Sequence, residues 1–347
     1  MRPPVAIILL NWNGWRDTLE CLESCLKLDY PNVRIILCDN ASTDGSVERV
    51  REWAEGSLPA PVEGEPGRRF AQPPAAKPVR LDILSAAEAK AGARPFENLP
   101  ALTVIETGEN GGFAAGNNVG LDYASRCGAR YHWVLNTDTV VAPEALGALV
   151  ERMERDPGIG QCGSRLAFYD QPDTLQLAGG CAYYSAFGMA RRLGADRPRE
   201  AAPDAATVER RLGFVSAASC LVSDAFFRDI GPMCEDYFFY CEEIDWALRS
   251  RGRFRLGYAA SSHVYHKAGR SAGSKGADRG RSAFSTYHLW RARRMVTRKY
   301  HPYGLPGLAV LAVSSAGLSL VSGDLGSANA IMRGVLGLAR ASSGGGV

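Results

Sequence analysis

Apolar residues along the chain fall into short runs separated by segments with helical spacing. Runs at 5–10, 33–38, 102–105 and 133–135 are bounded by polar or turn residues and predict buried β-strands. Segments 15–28, 45–55, 114–126 and 143–156 carry helical patterning; in the first, Leu19, Leu22 and Leu26 share one face. Strand alternating with helix predicts an α/β fold, a mainly parallel sheet covered by helices. The proline-rich stretch 56–100 interrupts the rhythm and reads as an inserted, partly mobile excursion around a short helix at 83–91. Beyond 156 the pattern is irregular. It predicts strand-like pieces at 161–168 and 181–189, a loop at 194–206, helices at 223–230 and 241–251, and a strand pair at 254–258 and 262–266.

Several polar residues follow the apolar runs directly, which gathers them at the carboxyl edge of the sheet, where open α/β sheets bind ligands. They are Asn11, Asp39 with Asn40, the glycine-rich turn 108–112, and Asn136 with Asp138. Asp39, in CDNASTDGS, suits a hydrogen bond to a base or ribose, or equally an Asx turn capping the next helix. The turn GENGGFAAGNN, with Asn110, Gly111, Gly112 and Asn117, lets backbone amides approach a phosphate. Asp138 places one carboxylate where a divalent ion bridging a diphosphate would sit, or it merely opens the next helix connection. His266, closing the last strand, is the candidate second ligand, and His263 is the competing choice.

In EDYFFYCEEIDWALRSRG, the acids Glu242, Glu243 and Asp245 complement the N-terminal end of a helix dipole, and Asp245 faces Arg249 at i,i+4. The aromatic run 237–240 beside them is an apolar wall of the kind that raises carboxylate pKa and stacks on sugar rings.

Composition narrows the class. A hydrophobic share of 46% with 22% charged residues is that of an ordinary globular protein. The net charge of +3 hides an asymmetry: residues 267–299 hold ten Lys or Arg against the single acid Asp278. Such a stretch suits a diphosphate or an anionic lipid surface, and no aromatic-rich motif favours nucleic acid. Nine cysteines without CxxC or regular spacing read as buried thiols of a reducing, cytoplasmic setting. Residues 5–10 are too short for a secretory or membrane-spanning segment. Near the other end, 302–323 carries no charge and follows the basic stretch, which suits either an interfacial anchor at the inner face of the membrane or a helical hairpin packed on the protein or in a homodimer contact.

The ordered set NWNG, DNAST, NGGFAAGN, LNTD, FFYCEEIDWALR and VYHKAG resembles glycosyltransferase family 2, especially its bacterial rhamnosyltransferase-like and galactofuranosyltransferase-like branches. The resemblance implies a GT-A fold, a dTDP-, UDP- or GDP-sugar donor, a divalent metal (Mn2+ or Mg2+) and inversion at the anomeric carbon. The acceptor it implies is a hydroxyl of a glycan or lipid-linked glycan in cell-surface polysaccharide synthesis. Position by position it places Asn11 and Asp39 on the nucleobase, and Asn110 and Asn117 near ribose or diphosphate. Asp138 becomes the surviving acid of a DxD-type motif, His266 a metal ligand and Glu243 the base. Glu242, Tyr240 and Trp246 then stand near the acceptor or support the base. Asn136 replaces the first acid of DxD, which puts a two-carboxylate site in doubt. The resulting division is a catalytic domain at 1–286, with a nucleotide-binding half 1–156 and an acceptor half 157–286, and a basic and apolar helical extension at 287–347. Two other classes compete. One is a nucleotide-sugar-binding protein without turnover; the other is a nucleotidylyltransferase, which would carry a basic glycine-rich loop where this chain has NWNGW.

Overall fold

The structure, a computed structural model, describes residues 2–267 and 281–339. The first half of the chain runs β1 (Val5–Asn11), α1 (Trp15–Cys25), β2 (Val33–Asp39), α2 (Ser46–Glu55), α3 (Gly64–Phe70), β3 (Leu81–Ser85), α4 (Ala86–Ala91), β4 (Leu102–Glu106), α5 (Gly112–Arg126), β5 (Tyr131–Asn136), β6 (Thr139–Val141) and α6 (Ala145–Arg155). The second continues with β7 (Ile159–Phe168), β8 (Leu175–Ala178), β9 (Gly180–Tyr184), β10 (Met189–Arg192), α7 (Ala205–Glu209), β11 (Phe214–Val215), β12 (Ser219–Ser223), α8 (Asp224–Ile230), α9 (Glu242–Arg249) and β13 (Arg255–His266). Three helices follow: α10 (Ala283–Tyr300), α11 (Leu305–Val321) and α12 (Leu325–Leu336).

Because β1 is apolar on both faces, it sits at the centre of the main sheet, whose order is β3-β4-β2-β1-β5-β12-β7-β13-β6, with β8 added against β7. The five strands from β3 to β5 are parallel. β12 inserts antiparallel between β5 and β7, and β13 runs parallel to β7. One core lies between this sheet and α1, α2 and α6; a second lies between its other face and α5, α8 and α9. Close approach of α5 is possible because Gly116 and Gly120 face the sheet: a Cβ at Gly120 would meet Ile8 Cγ2 at 2.8 Å.

Three expectations are corrected. The stretch 56–100 is no loose excursion: β3 pairs in register with β4 (Ile83 opposite Val104), and only Ala86–Ala91 of the expected helix is helical. The stretch is also tied to α1, where the buried Glu23 carboxylate accepts the Trp53 indole N–H, the Ala75 amide and the Lys77 ammonium. Second, 255–266 is one continuous strand with a bulge between Ala259 and His263 rather than two. Third, 181–189 is not one strand but the hairpin β9–β10, which forms a separate three-stranded sheet with β11.

Candidate functional site

The ends of β1, β2, β4 and β5 bring Asn11, Asp39, Asn40, the turn before α5 and Asn136 to one edge, as their strand-end positions predict. Asn11 is nevertheless buried and turned inward. Its amide donates to Asp39 Oδ1 at 2.7 Å and Ser42 Oγ at 3.1 Å, while its Oδ1 accepts from Thr18. The expected contact of Asn11 with a base is therefore corrected: it holds Asp39 in place. Asp39 also accepts the Ser42 hydroxyl and amide, so DNAS closes an Asx turn. Ser42, which joins both residues, was not singled out from sequence; its place two residues past a strand-end Asp-Asn pair is the available signal.

The glycine turn does something other than cradle a phosphate. The Gly112 amide donates to Asn110 Oδ1, and the Phe113 amide donates to Phe238 O at 2.9 Å. Gly112 has φ +90°, and a Cβ there would lie 2.3 Å from Phe238 O. Glycine is required because the loop before α9 is seated on the start of α5. Asn110 also accepts from Asn40, and Asn117, buried, donates back to Phe113 O. Asn118 completes the seat, bonding Met233 through both ends of its amide and donating to Glu235.

At the same edge, Asp138 and His266 converge from the β5–β6 turn and the end of β13. Asp138 Oδ1 faces His266 Nε2 at 3.2 Å with no hydrogen-bond donor in line. Gln176 Oε1, on β8, lies 2.9 Å from His266 Nδ1. In the neutral ring, Nδ1–H donating to Gln176 leaves the Nε2 lone pair facing the Asp138 carboxylate, with the Asn136 amide nitrogen 3.5 Å away. Burial alone would raise the Asp138 carboxyl, but the charge and Nε2–H of the imidazolium form of His266, together with Lys267, more than offset it and hold the group below its ordinary value. Among the described residues no cluster of three His, Cys, Asp or Glu forms, so a cation here would take two protein ligands and fill its shell from elsewhere. His263 lies three residues earlier on the same strand, and an odd separation along a strand turns its side chain to the opposite face from His266.

Lys267 is buried, yet Asp17 and Glu20 of α1 keep its ammonium charged. Glu20 also accepts the Tyr169 hydroxyl at 2.6 Å. A Cβ at Gly67 would strike Glu20 Oε1, so α3 caps this network from above. The glycine-rich basic loop expected to face a diphosphate lies outside the described residues from 268 onward.

The acids of α9 separate cleanly. Asp245 is fully buried and saturated: Oδ2 accepts from Lys299 Nζ (2.7 Å), the Tyr300 hydroxyl (2.7 Å) and the Tyr237 hydroxyl (3.1 Å), and Oδ1 accepts from Arg249 Nε (2.8 Å). Trp246 is buried against Phe226 and donates to Gly231 O, which places it as a support for the helix, one of the two roles expected of it. Glu242 and Glu243 each keep one buried carboxylate oxygen without a hydrogen-bond partner. Burial raises both carboxyls: Glu243 to about 7, and Glu242 further because the charge of Glu243 adds to burial. The loop that delivers them holds Phe238, Tyr240 and Cys241 at φ of 63°, 72° and 69°, a left-handed backbone strained for side chains of this size. Tyr240 lies against Phe239 with ring centroids 4.2 Å apart and the planes tilted by 47°.

Residues 6–66 and 85–201, just over half of the chain, match the Glycosyl transferase family 2 model. The chain belongs to glycosyl transferase family 2. This family member is 40% identical over 52 residues to EpsE of Bacillus subtilis (strain 168), a match of 15% of the chain and 19% of EpsE, so it spans about a fifth of that relative. Its fold is GT-A, shared with a mannosyltransferase from Pyrobaculum calidifontis in complex with GDP-Man and Mn2+ (TM-score 0.53, 14% identity, 97% of this chain and 87% of that one). S. aureus TarS 1-349 in complex with UDP-GlcNAc is similar at TM-score 0.51 and 14% identity, over 96% and 81% of the two chains. GalNAc-T7 with UDP, GalNAc and Mn2+ gives TM-score 0.54 and 12% identity, over 84% of this chain and 47% of that one.

Proposed function

We propose that this family 2 member transfers a sugar, a rhamnose-like or other hexose, from a dTDP-, UDP- or GDP-sugar to a hydroxyl of a glycan or lipid-linked glycan, with inversion. The observation that carries the reading is Glu243, a carboxyl with an unpartnered oxygen and a value near 7, on a helix where Asp245 is fully committed and Glu242 is raised further. Glu243 takes the acceptor hydroxyl proton as the acceptor oxygen bonds to the anomeric carbon. The bond from that carbon to the diphosphate breaks, and the electron pair leaves with the diphosphate. Glu242 stays protonated beside it and serves as a hydrogen-bond donor toward the acceptor.

Asp138 Oδ1 and His266 Nε2 fit a divalent ion of oxygen and imidazole preference, Mn2+ or Mg2+, completed by diphosphate oxygens and water. Such an ion supplies charge neutralisation at the leaving diphosphate. The mannosyltransferase and GalNAc-T7 structures named above contain Mn2+, and those of the mannosyltransferase and TarS contain nucleotide sugars. The test is turnover of a panel of dTDP-, UDP- and GDP-sugars with Mn2+ and with excess EDTA. Transfer or slow donor hydrolysis with one base, lost in EDTA and in Asp138→Asn, is expected. Full activity in EDTA removes the metal, and no turnover or binding of any donor removes the reading.

Gln176 sets the His266 tautomer and is expected to act on metal affinity alone. Gln176→Ala should weaken Mn2+ binding about 10- to 100-fold by calorimetry, with the melting temperature in EDTA little changed. Unaltered Mn2+ affinity would remove Gln176 from the site.

A further inference from the structure

The helices α10 to α12 leave one face of the protein apolar. α11 packs through Leu308, Ala312 and Ala316 against Trp290 of α10 and Ala328 and Ile331 of α12. Its opposite side carries Val310, Val313, Leu320 and Val321, each more than half exposed. That face continues onto the tip of the β9–β10 hairpin. A Cβ at Gly307 would touch the Phe187 ring, and the Tyr303 hydroxyl lies 3.0 Å from Ser185 Oγ. Tyr184, Phe187 and Tyr303 are exposed there, three aromatics at the border of an apolar helix face. Exposed basic residues lie on the neighbouring elements, Arg191 on the same hairpin and Arg298 in the last turn of α10, and the three helices are basic as a whole, residues 281–339 holding seven Lys or Arg against the one acid Asp324.

We propose that this face rests on an anionic lipid bilayer, with α11 lying in the headgroup region parallel to the surface. An apolar helix face bordered by aromatic side chains, with basic ones on the neighbouring elements, matches the depth profile of a bilayer interface, where aromatic rings sit at headgroup level and cations meet anionic lipid. Pro302–Val321 is long and apolar enough to span a membrane. Spanning would strip Leu308, Ala312 and Ala316 from α12, whereas lying flat keeps that packing and buries only the side now exposed. A second copy of the chain is a poorer occupant, because a two-fold contact through this face would bring two basic sets of helices together. The inference rests on the surface alone and stands whatever the sugar transferred.

Flotation of the full chain with phosphatidylcholine vesicles, with and without phosphatidylglycerol, tests it. Co-migration with the anionic vesicles, weaker with neutral ones and in high salt, is expected. The doubly substituted Val310→Glu, Val313→Glu chain should partition at least about tenfold less while melting as the parent does, since both side chains are exposed. Phe187→Ala with Tyr303→Ala provides a second variant that removes aromatic anchors without adding charge. Absence of co-migration by the parent, or undiminished co-migration by both variants, overturns the proposal. So does a parent dimer that the same substitutions dissociate while no vesicle is bound, which would make the face a contact between copies.

Discussion

Replacing Glu243 with Gln is expected to reduce kcat by a factor of about 10² to 10⁴, the range for loss of a general base, while leaving donor affinity near that of the parent and the melting temperature equal to it at acid pH and higher at neutral pH, where the parent's buried carboxyl ionises. The amide keeps the size of the side chain and removes only the proton acceptor. Glu242→Gln should raise the acceptor KM with a smaller effect on kcat, because that side chain stays protonated under burial and the neighbouring Glu243 charge. The pH profile of kcat/KM in the parent should rise with pH and level off above about 7, where Glu243 becomes ionised. The same raised value acts on stability in a defined direction. Between the ordinary 4.5 and about 7 the native state holds a proton that the unfolded chain has released, so stability falls as pH rises through that window. Glu243→Gln should reduce that dependence, leaving the part that Glu242 contributes in the same direction, and a denaturation series across the window would reveal it. If Glu242→Gln abolished turnover and Glu243→Gln did not, the base would be the other acid of the pair.

Asp245→Ala is expected to cost about 3 kcal/mol in global stability, the lower end for removing one partner of a buried ion pair. The value stays at that end because Lys299 is half exposed and can rehydrate, whereas the Tyr237 hydroxyl is left buried. Urea unfolding would measure it. Burial would raise this carboxyl, but Lys299, Tyr300 and Arg249 hold it below its ordinary value. Its contribution is thus fully present above the ordinary carboxylate range and disappears as pH falls through the depressed value. A loss within a few tenths of a kcal/mol would show that Arg249 and Lys299 find other partners and that the cluster does not hold α9 to α10.

The strands and the edge they share were legible because a buried parallel strand reads as an unbroken apolar run, and polar residues right after such a run have one place to go. β12 was not legible: Ser219–Ser223 is short and ends in the cap of α8, so its pattern merges with the helix that follows. β3 was hidden for a different reason. Leu81–Ser85 is an edge strand with a half-exposed face, set among prolines that suggest a loop. In the candidate site, residue types drew attention to one sheet edge, while contacts from elsewhere in the chain decide what each side chain can do. Asn11 and Asp39 have the chemistry for a base, yet Asn11 spends its amide on Asp39. Gln176 had no signal beyond being a buried polar residue in the apolar strand Leu175–Ala178, because its partner His266 is distant in sequence.

The position of β12 bears on how the chain is made. Strand β5 pairs with β1 on one side, and its other side stays open until residues 219–223 have left the ribosome. Through that interval the nascent chain presents an unpaired strand edge with the apolar run Trp133–Leu135 at its middle, the kind that recruits other chains. A fragment ending at 156 would keep that edge permanently, so it should collect in inclusion bodies. Circularly permuted chains that synthesise β12 ahead of β5 should do so less than those that delay it.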